Sequence, residues 1–194
     1  MDRLTFENLD SEVTIWTIRL SMICLFGALA LRLRCLTKSN QVTENPDCES
    51  APMVAARNLW LLGSFFSLLH TLVAMGFYHQ WSHWLAFEDT ARKTQLVLGV
   101  RVGIGIYFNY AFVMIWLFDA LWWIGRPNSY VQRPQWINWW VYGFLIFIAV
   151  NGTIVFESGT VRWISVAALV ALITLAWQKR VCSNSGVTWL DSDS

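Results

Sequence analysis

The sequence predicts an all-α fold, a polytopic transmembrane helix bundle, on three observations. Five stretches are each apolar enough to cross a hydrocarbon core of about 30 Å, which takes roughly 20 residues, with a range of about 17 to 25. The chain is 56% hydrophobic and only 14% charged, with a mean hydropathy of +0.43, whereas a soluble domain carries about 25% charge. Thirteen Trp and twelve Phe in 194 residues exceed what one globular core hides, so much of the surface is itself apolar and the expected solvent is lipid. A net charge of +1 excludes an electrostatic nucleic-acid binder.

The expected spans are residues 14–31, 59–78, 102–124, 137–156 and 161–177, forming one integral membrane domain with a short polar tail at 181–194. The first span follows a segment with Asp2, Glu7, Asp10 and Glu12 against a single Arg3. A signal peptide would carry net positive charge there, so a retained helix is expected. A polar connection at 32–57 holds Pro46 and Pro52. A turn at 126–135 holds Pro127 and Pro134, and a tight turn at 157–160 contains Gly159.

Orientation follows from Lys and Arg in short loops. With the N-terminus outside, eight fall inside: Arg32, Arg34, Lys38, Arg57, Arg126, Arg133, Lys179 and Arg180. Five fall outside: Arg3, Arg92, Lys93, Arg101 and Arg162. The excess predicts a multi-pass protein with its N-terminus outside and its C-terminus in the cytoplasm. Cys35, Cys48 and Cys182 then face the reducing side, and no Cys-x-x-Cys pair suggests a metal.

Ionisable and amide groups inside a bilayer are costly, so each is a candidate functional residue. At about 1.5 Å per residue, Arg19 and Asn151 lie roughly 7 Å from the outer ends of their spans, and His70 and Asn109 about 12 Å from the same side. Consecutive spans alternate direction, so the four share one leaflet whichever way the chain is inserted. Gly63, Ser67, His70, Thr71 and Ala74 form one small, polar stripe on the second span. Gly99 and Gly103 begin a G-x-x-x-G stripe on the third, and Gly143 with Asn151 repeats the theme on the fourth. These groups serve either as a ligand site or as hydrogen-bonding glue between helices, and Arg19 has the further choice of snorkelling to the interface. Asp119 lies toward the inner end of the third span, where it forms either an ion pair with Arg32, Arg34 or Arg126 or a proton site.

Between the second and third spans an amphipathic interfacial segment is expected, with Trp81, Trp84 and Phe87 at headgroup level. On a helix His79 and His83, four residues apart, share a face at a spacing suited to one metal, and Thr90 and Thr94 continue that face. A metal or a haem is the cofactor class such histidines suit. A complete metal site needs three or four ligands, and the whole chain has three histidines.

His79, Trp81, Ser82 and His83 form an H-x-W-S-H motif. With Asn109-Tyr110, Asp119 and Trp122-Trp123 it resembles uncharacterised bacterial multi-pass membrane proteins over the middle third of the chain. The resemblance implies a polytopic membrane fold and no particular reaction.

Three functions fit these expectations: binding of a small ligand, metal or haem at the outer-leaflet polar site; a structural or assembly subunit with a membrane-protein partner or a second copy; and a small transporter. No Ser-His-Asp order, paired interior carboxylates or phosphate loop points to an enzyme. The orientation is checked by labelling: Cys48 stays unreactive to an impermeant maleimide in intact cells and reacts once they are permeabilised, and labelling in intact cells would invert the topology.

Overall fold

The structure is a computed structural model that describes residues 3–38, 51–155 and 159–185. The chain is all-α, with no strand among the described residues. α1 (Arg3–Lys38), α2 (Ala51–Phe77), α3 (His83–Leu98), α4 (Gly105–Gly125), the short α5 (Pro127–Val131), α6 (Gln135–Val150), a single π-helical turn (Asn151–Val155) and α7 (Thr160–Ser185) follow in order.

Among the described residues three segments are long and apolar enough to cross a membrane: Glu12–Arg34 within α1, Ala51–Phe77 and Gly105–Gly125. Arg162–Trp177 within α7 is apolar but shorter, and α6 has 16 residues before its π-turn.

The helices outrun the apolar stretches that announce them, because a helix once nucleated continues through any residue with adequate propensity. α1 runs on through Arg32 and Arg34 to Lys38, so the polar connection expected at 32–57 shrinks to 39–50, which lies outside the described residues. α2 starts eight residues before position 59 with Pro52 in its first turn, where the missing N–H costs nothing. α7 continues to Ser185, into the stretch expected as a polar tail; residues 186–194, and positions 156–158 of the tight turn, lie outside the described residues.

α1 and α2 form the most extensive helix pair, α4 packs on α2, α6 on α4, and α7 on α1 and the π-turn. The seam between α1 and α2 is made by small residues. Ser21 Oγ donates to the Gly63 carbonyl at 2.9 Å, and Gly63 lets the indole of Trp116 in from α4. A Cβ at Gly63 would lie 2.6 Å from the Trp116 ring and 3.0 Å from Cys24 Cβ. Trp116 is fully buried and meets Trp60 at 5.4 Å and Phe112 at 5.5 Å between ring centroids, with Leu25, Ala28 and Leu145 in the same core.

The other glycine stripes are not helix seams. Gly99 has φ +76° and caps the C-terminus of α3, donating its N–H to the Gln95 carbonyl. Gly103 lies in the turn before α4 under the Phe87 ring, 2.6 Å from where its Cβ would be. Gly143 faces open space.

Gly63→Ala forces a methyl against a buried ring with no flexible end to give way, so stability falls by about 1–3 kcal/mol. Gly143→Ala leaves it unchanged. Thermal unfolding in detergent reads both, and equal midpoints for the two variants would contradict this packing.

Candidate functional site

Two groups of polar residues lie at opposite ends of the bundle. The one at the α4–α6 connection is deeply buried. α4 ends at Gly125, Pro127 opens α5 in a position where its absent N–H is not missed, and Tyr130 N–H donates back to the Arg126 carbonyl at 2.9 Å. This reversal brings Tyr130 and Arg133 beneath Asp119, one turn and a half up α4.

Asp119 Oδ2 accepts from Trp60 Nε1 at 2.8 Å and from the Tyr130 hydroxyl at 2.9 Å, and Oδ1 accepts from Arg133 Nη1. The Asp119 and Arg133 side chains are 3% and 1% exposed. Arg133 also donates from Nε to Asn138 Oδ1 at 2.6 Å and from Nη2 to the hydroxyls of Tyr130 and Tyr142 at 3.1 and 3.2 Å. Its guanidinium lies 3.9 Å from the Tyr130 ring centroid. Tyr130 gives its one proton to Asp119, and its oxygen lies 3.0 Å from that of Tyr142.

Burial is the largest influence on Arg133 and would lower its pKa, but the hydrogen bond to Asp119 and the charge interactions with Tyr130, Asp119 and Tyr142 together outweigh it and hold the guanidinium above its ordinary value. Burial pushes the Tyr130 phenol well up, and Tyr142 and Asp119 push it further. The group is therefore an ion pair wrapped by neutral phenols. Both carboxylate oxygens are engaged by protein donors, which suits fixing helices better than binding or proton transfer. Sequence reasoning offered Asp119 an ion pair with Arg32, Arg34 or Arg126; its partner is Arg133. Trp60, Tyr130, Tyr142 and Asn138 were missed as well. The available signal was the pair of prolines, Pro127 and Pro134, which folds Arg133 back toward α4.

The residues expected to converge at the opposite end do so only in part. His70 Nδ1 lies 3.0 Å from the Thr14 carbonyl and 3.4 Å from Thr17 Oγ1, tying α2 to α1. Arg19 is exposed and lies over the Trp16 ring at 5.3 Å. Asn109 is exposed, and Asn151 donates to the Phe147 carbonyl of its own helix at 2.8 Å. No hydrogen bond among the described residues joins Arg19, Asn109 or Asn151 to His70. Thr90 and Thr94 likewise bond carbonyls of their own helix, those of Ala86 and Thr90.

His79 and His83 do not share a helix face. α2 ends at Phe77, the turn that follows has Gln80 and Trp81 in the left-handed region at φ 49° and 59°, and α3 starts only at His83 behind the Ser82 N-cap. The capping serine was the sequence signal for this break. His83 instead sits between two phenols, with Nε2 3.2 Å from Tyr107 Oη and Nδ1 3.3 Å from Tyr110 Oη. His79 is held below the ordinary histidine range by burial, with Asp89 opposing and Lys93 reinforcing the shift. Among the described residues no three His, Cys, Asp or Glu side chains come together to hold a metal.

Comparison of the chain with protein-family models, with curated proteins and with solved structures finds no match.

Asp119→Leu strands the Arg133 guanidinium in the bundle, and stability falls by about 3–5 kcal/mol. Adding Arg133→Met removes the stranded charge and restores most of the loss. Unfolding midpoints of the two variants in one detergent test this, and a double variant no better than the single would contradict the ion-pair reading.

Proposed function

We propose that the chain is a structural or assembly subunit of a larger membrane complex, embedded through its apolar helices. What carries the reading is Asn109. It stands on a candidate span, is exposed next to exposed Tyr107 and Phe108, and makes no hydrogen bond among the described residues. A long side chain such as Arg19 can reach the headgroups from within a span, but an asparagine amide cannot. An amide facing hydrocarbon without a partner is costly, and a helix from another chain supplies that partner. The inward-facing polar groups support the same reading, since they spend their hydrogen bonds on joining helices.

The proposal extends to five spans, with α6 plus its π-turn and α7 completing the three long ones, in a bacterial inner membrane with the N-terminus outside. The excess of Lys and Arg on one side supports that orientation, and the H-x-W-S-H resemblance supports a multi-pass bacterial protein.

One observation favours ligand binding at His70 as a second reading. With Nδ1 donating to the Thr14 carbonyl, Nε2 carries a free lone pair, the arrangement by which a backbone carbonyl orients a metal- or haem-ligating imidazole.

Size-exclusion chromatography with light scattering in mild detergent separates the two. The subunit reading gives a protein mass well above the 22.4 kDa chain, and Asn109→Leu weakens that association by about threefold or more, the scale of one interhelical hydrogen bond in a membrane. The preparation is colourless and metal-free. A monomer with an absorbance band or stoichiometric metal that is lost in His70→Ala would reject the first reading and establish the second.

A further inference from the structure

The buried end of the bundle holds two guanidiniums and one carboxylate. Arg133 takes Asp119. Arg32, reaching in from α1, is left with three rings and a phenol: its guanidinium carbon lies 4.8 Å from the Trp123 ring centroid, 5.0 Å from that of Tyr142 and 5.5 Å from that of Tyr130, and Nη1 donates to Tyr130 Oη at 3.2 Å. Among the described residues Arg32 forms no ion pair. An arginine has five N–H donors, so four have no acceptor among the described residues, and the Tyr130 phenol beside it is held neutral by burial. The cage fixes where the guanidinium sits without neutralising it.

Arg32 is only half-buried and stands two residues inside the end of its candidate span at Arg34, the depth of lipid headgroups. Arg34 and Arg126 are exposed at the same end. A cationic fork at headgroup depth, with a basic rim and aromatic walls, matches a phosphodiester, which guanidinium grips through paired N–H···O bonds. We propose that Arg32 binds the phosphate of a membrane phospholipid at this end of the bundle, the lipid supplying the anion that the described residues do not.

The test uses the full-length protein, delipidated in maltoside detergent and titrated with three probes: dioleoylphosphatidylglycerol, dioleoylglycerol and inorganic phosphate. Native mass spectrometry counts bound lipid, and thermal unfolding follows stability. Phosphatidylglycerol binds and raises the unfolding temperature; dioleoylglycerol, with the same tails and no phosphate, does neither. Arg32→Gln weakens phosphatidylglycerol binding about tenfold or more, as expected for losing hydrogen bonds to a charged group. Arg34→Gln leaves it within about twofold of wild type, a rim charge being worth little.

Should Arg32→Gln fail to fold, Arg32→Lys keeps the caged charge but not the fork, and weaker binding in that variant supports the proposal equally. Unchanged binding in whichever of the two folds would overturn it. So would an equal rise in unfolding temperature from inorganic phosphate, which would make the site one for a soluble anion. A wild type that binds phosphatidylglycerol only after Glu44, Asp47 and Glu49 are changed to Gln would overturn it too, since the chain's own loop would then occupy Arg32.

Discussion

The constraint on which this fold turns is the burial of one charge pair. Asp119 and Arg133 are almost wholly removed from solvent, and taking two such ions out of water costs several kcal/mol each unless their geometry and remaining hydrogen bonds are satisfied. That requirement dictates the surrounding residues. Trp60 has to bring its N–H from α2, Tyr130 its hydroxyl from α5, and Asn138 and Tyr142 their oxygens from α6. Four helices are thereby held in register by one carboxylate and one guanidinium. The path from Gly125 to Pro134 is the one that delivers Arg133 to Asp119.

Satisfaction of this kind gives direction as well as stability. The helix surfaces beside it are mostly Leu, Phe, Trp and Ala, which pack in many rotations at similar energy, whereas the network accepts one. Arginine is required at position 133 for the same reason. Its donors reach Asn138 from Nε, Asp119 from Nη1 and the two phenols from Nη2, a spread that a lysine's single nitrogen cannot cover. The far end of the bundle works differently. Ser21 to Gly63 and His70 to Thr14 are single hydrogen bonds between two adjacent helices, each worth about 0.6 kcal/mol. They close the seam between α1 and α2, while α3 is held by Phe87 over Gly103 and Thr90 beside Gly105, by His83 between the Tyr107 and Tyr110 hydroxyls, and by the Glu88–Arg101 ion pair.

The all-α class, the amphipathic helix between the second and third apolar stretches and the small-residue seam on α2 were legible in the sequence, because each rests on periodicity or composition that repeats over many residues. The partner of Asp119 was not. Choosing among Arg32, Arg34, Arg126 and Arg133 depends on how a ten-residue connection reverses, and nothing periodic encodes that. Depth along a helix was legible too, but rotation about its axis was not. Asn109 and His70 were expected to face one site, yet one is exposed and the other bonds α1. The three residues between His79 and His83 read equally well as a helical turn or as a break. Two left-handed residues and a serine cap settle it as a break.

The aromatic content, first read as evidence of lipid contact, divides between two roles. Trp136, Trp139 and Trp140 at the start of α6 are exposed, as an interfacial belt requires. Trp123 is buried and stacks on Tyr130 at 4.8 Å, and the same two rings flank Arg32. Those rings solve a problem that hydrocarbon side chains could not. Two guanidiniums close to one carboxylate repel each other, and a wall of leucine would raise the cost of both by excluding water without returning any electrostatic stabilisation. An aromatic face returns about 0.5–2 kcal/mol to a cation, and a phenol adds an acceptor without adding a charge. Tyr130 does both at once, lying against each guanidinium and accepting a hydrogen bond from each. The Trp and Tyr at this end therefore make a second buried cation tolerable, and they do it without neutralising its charge.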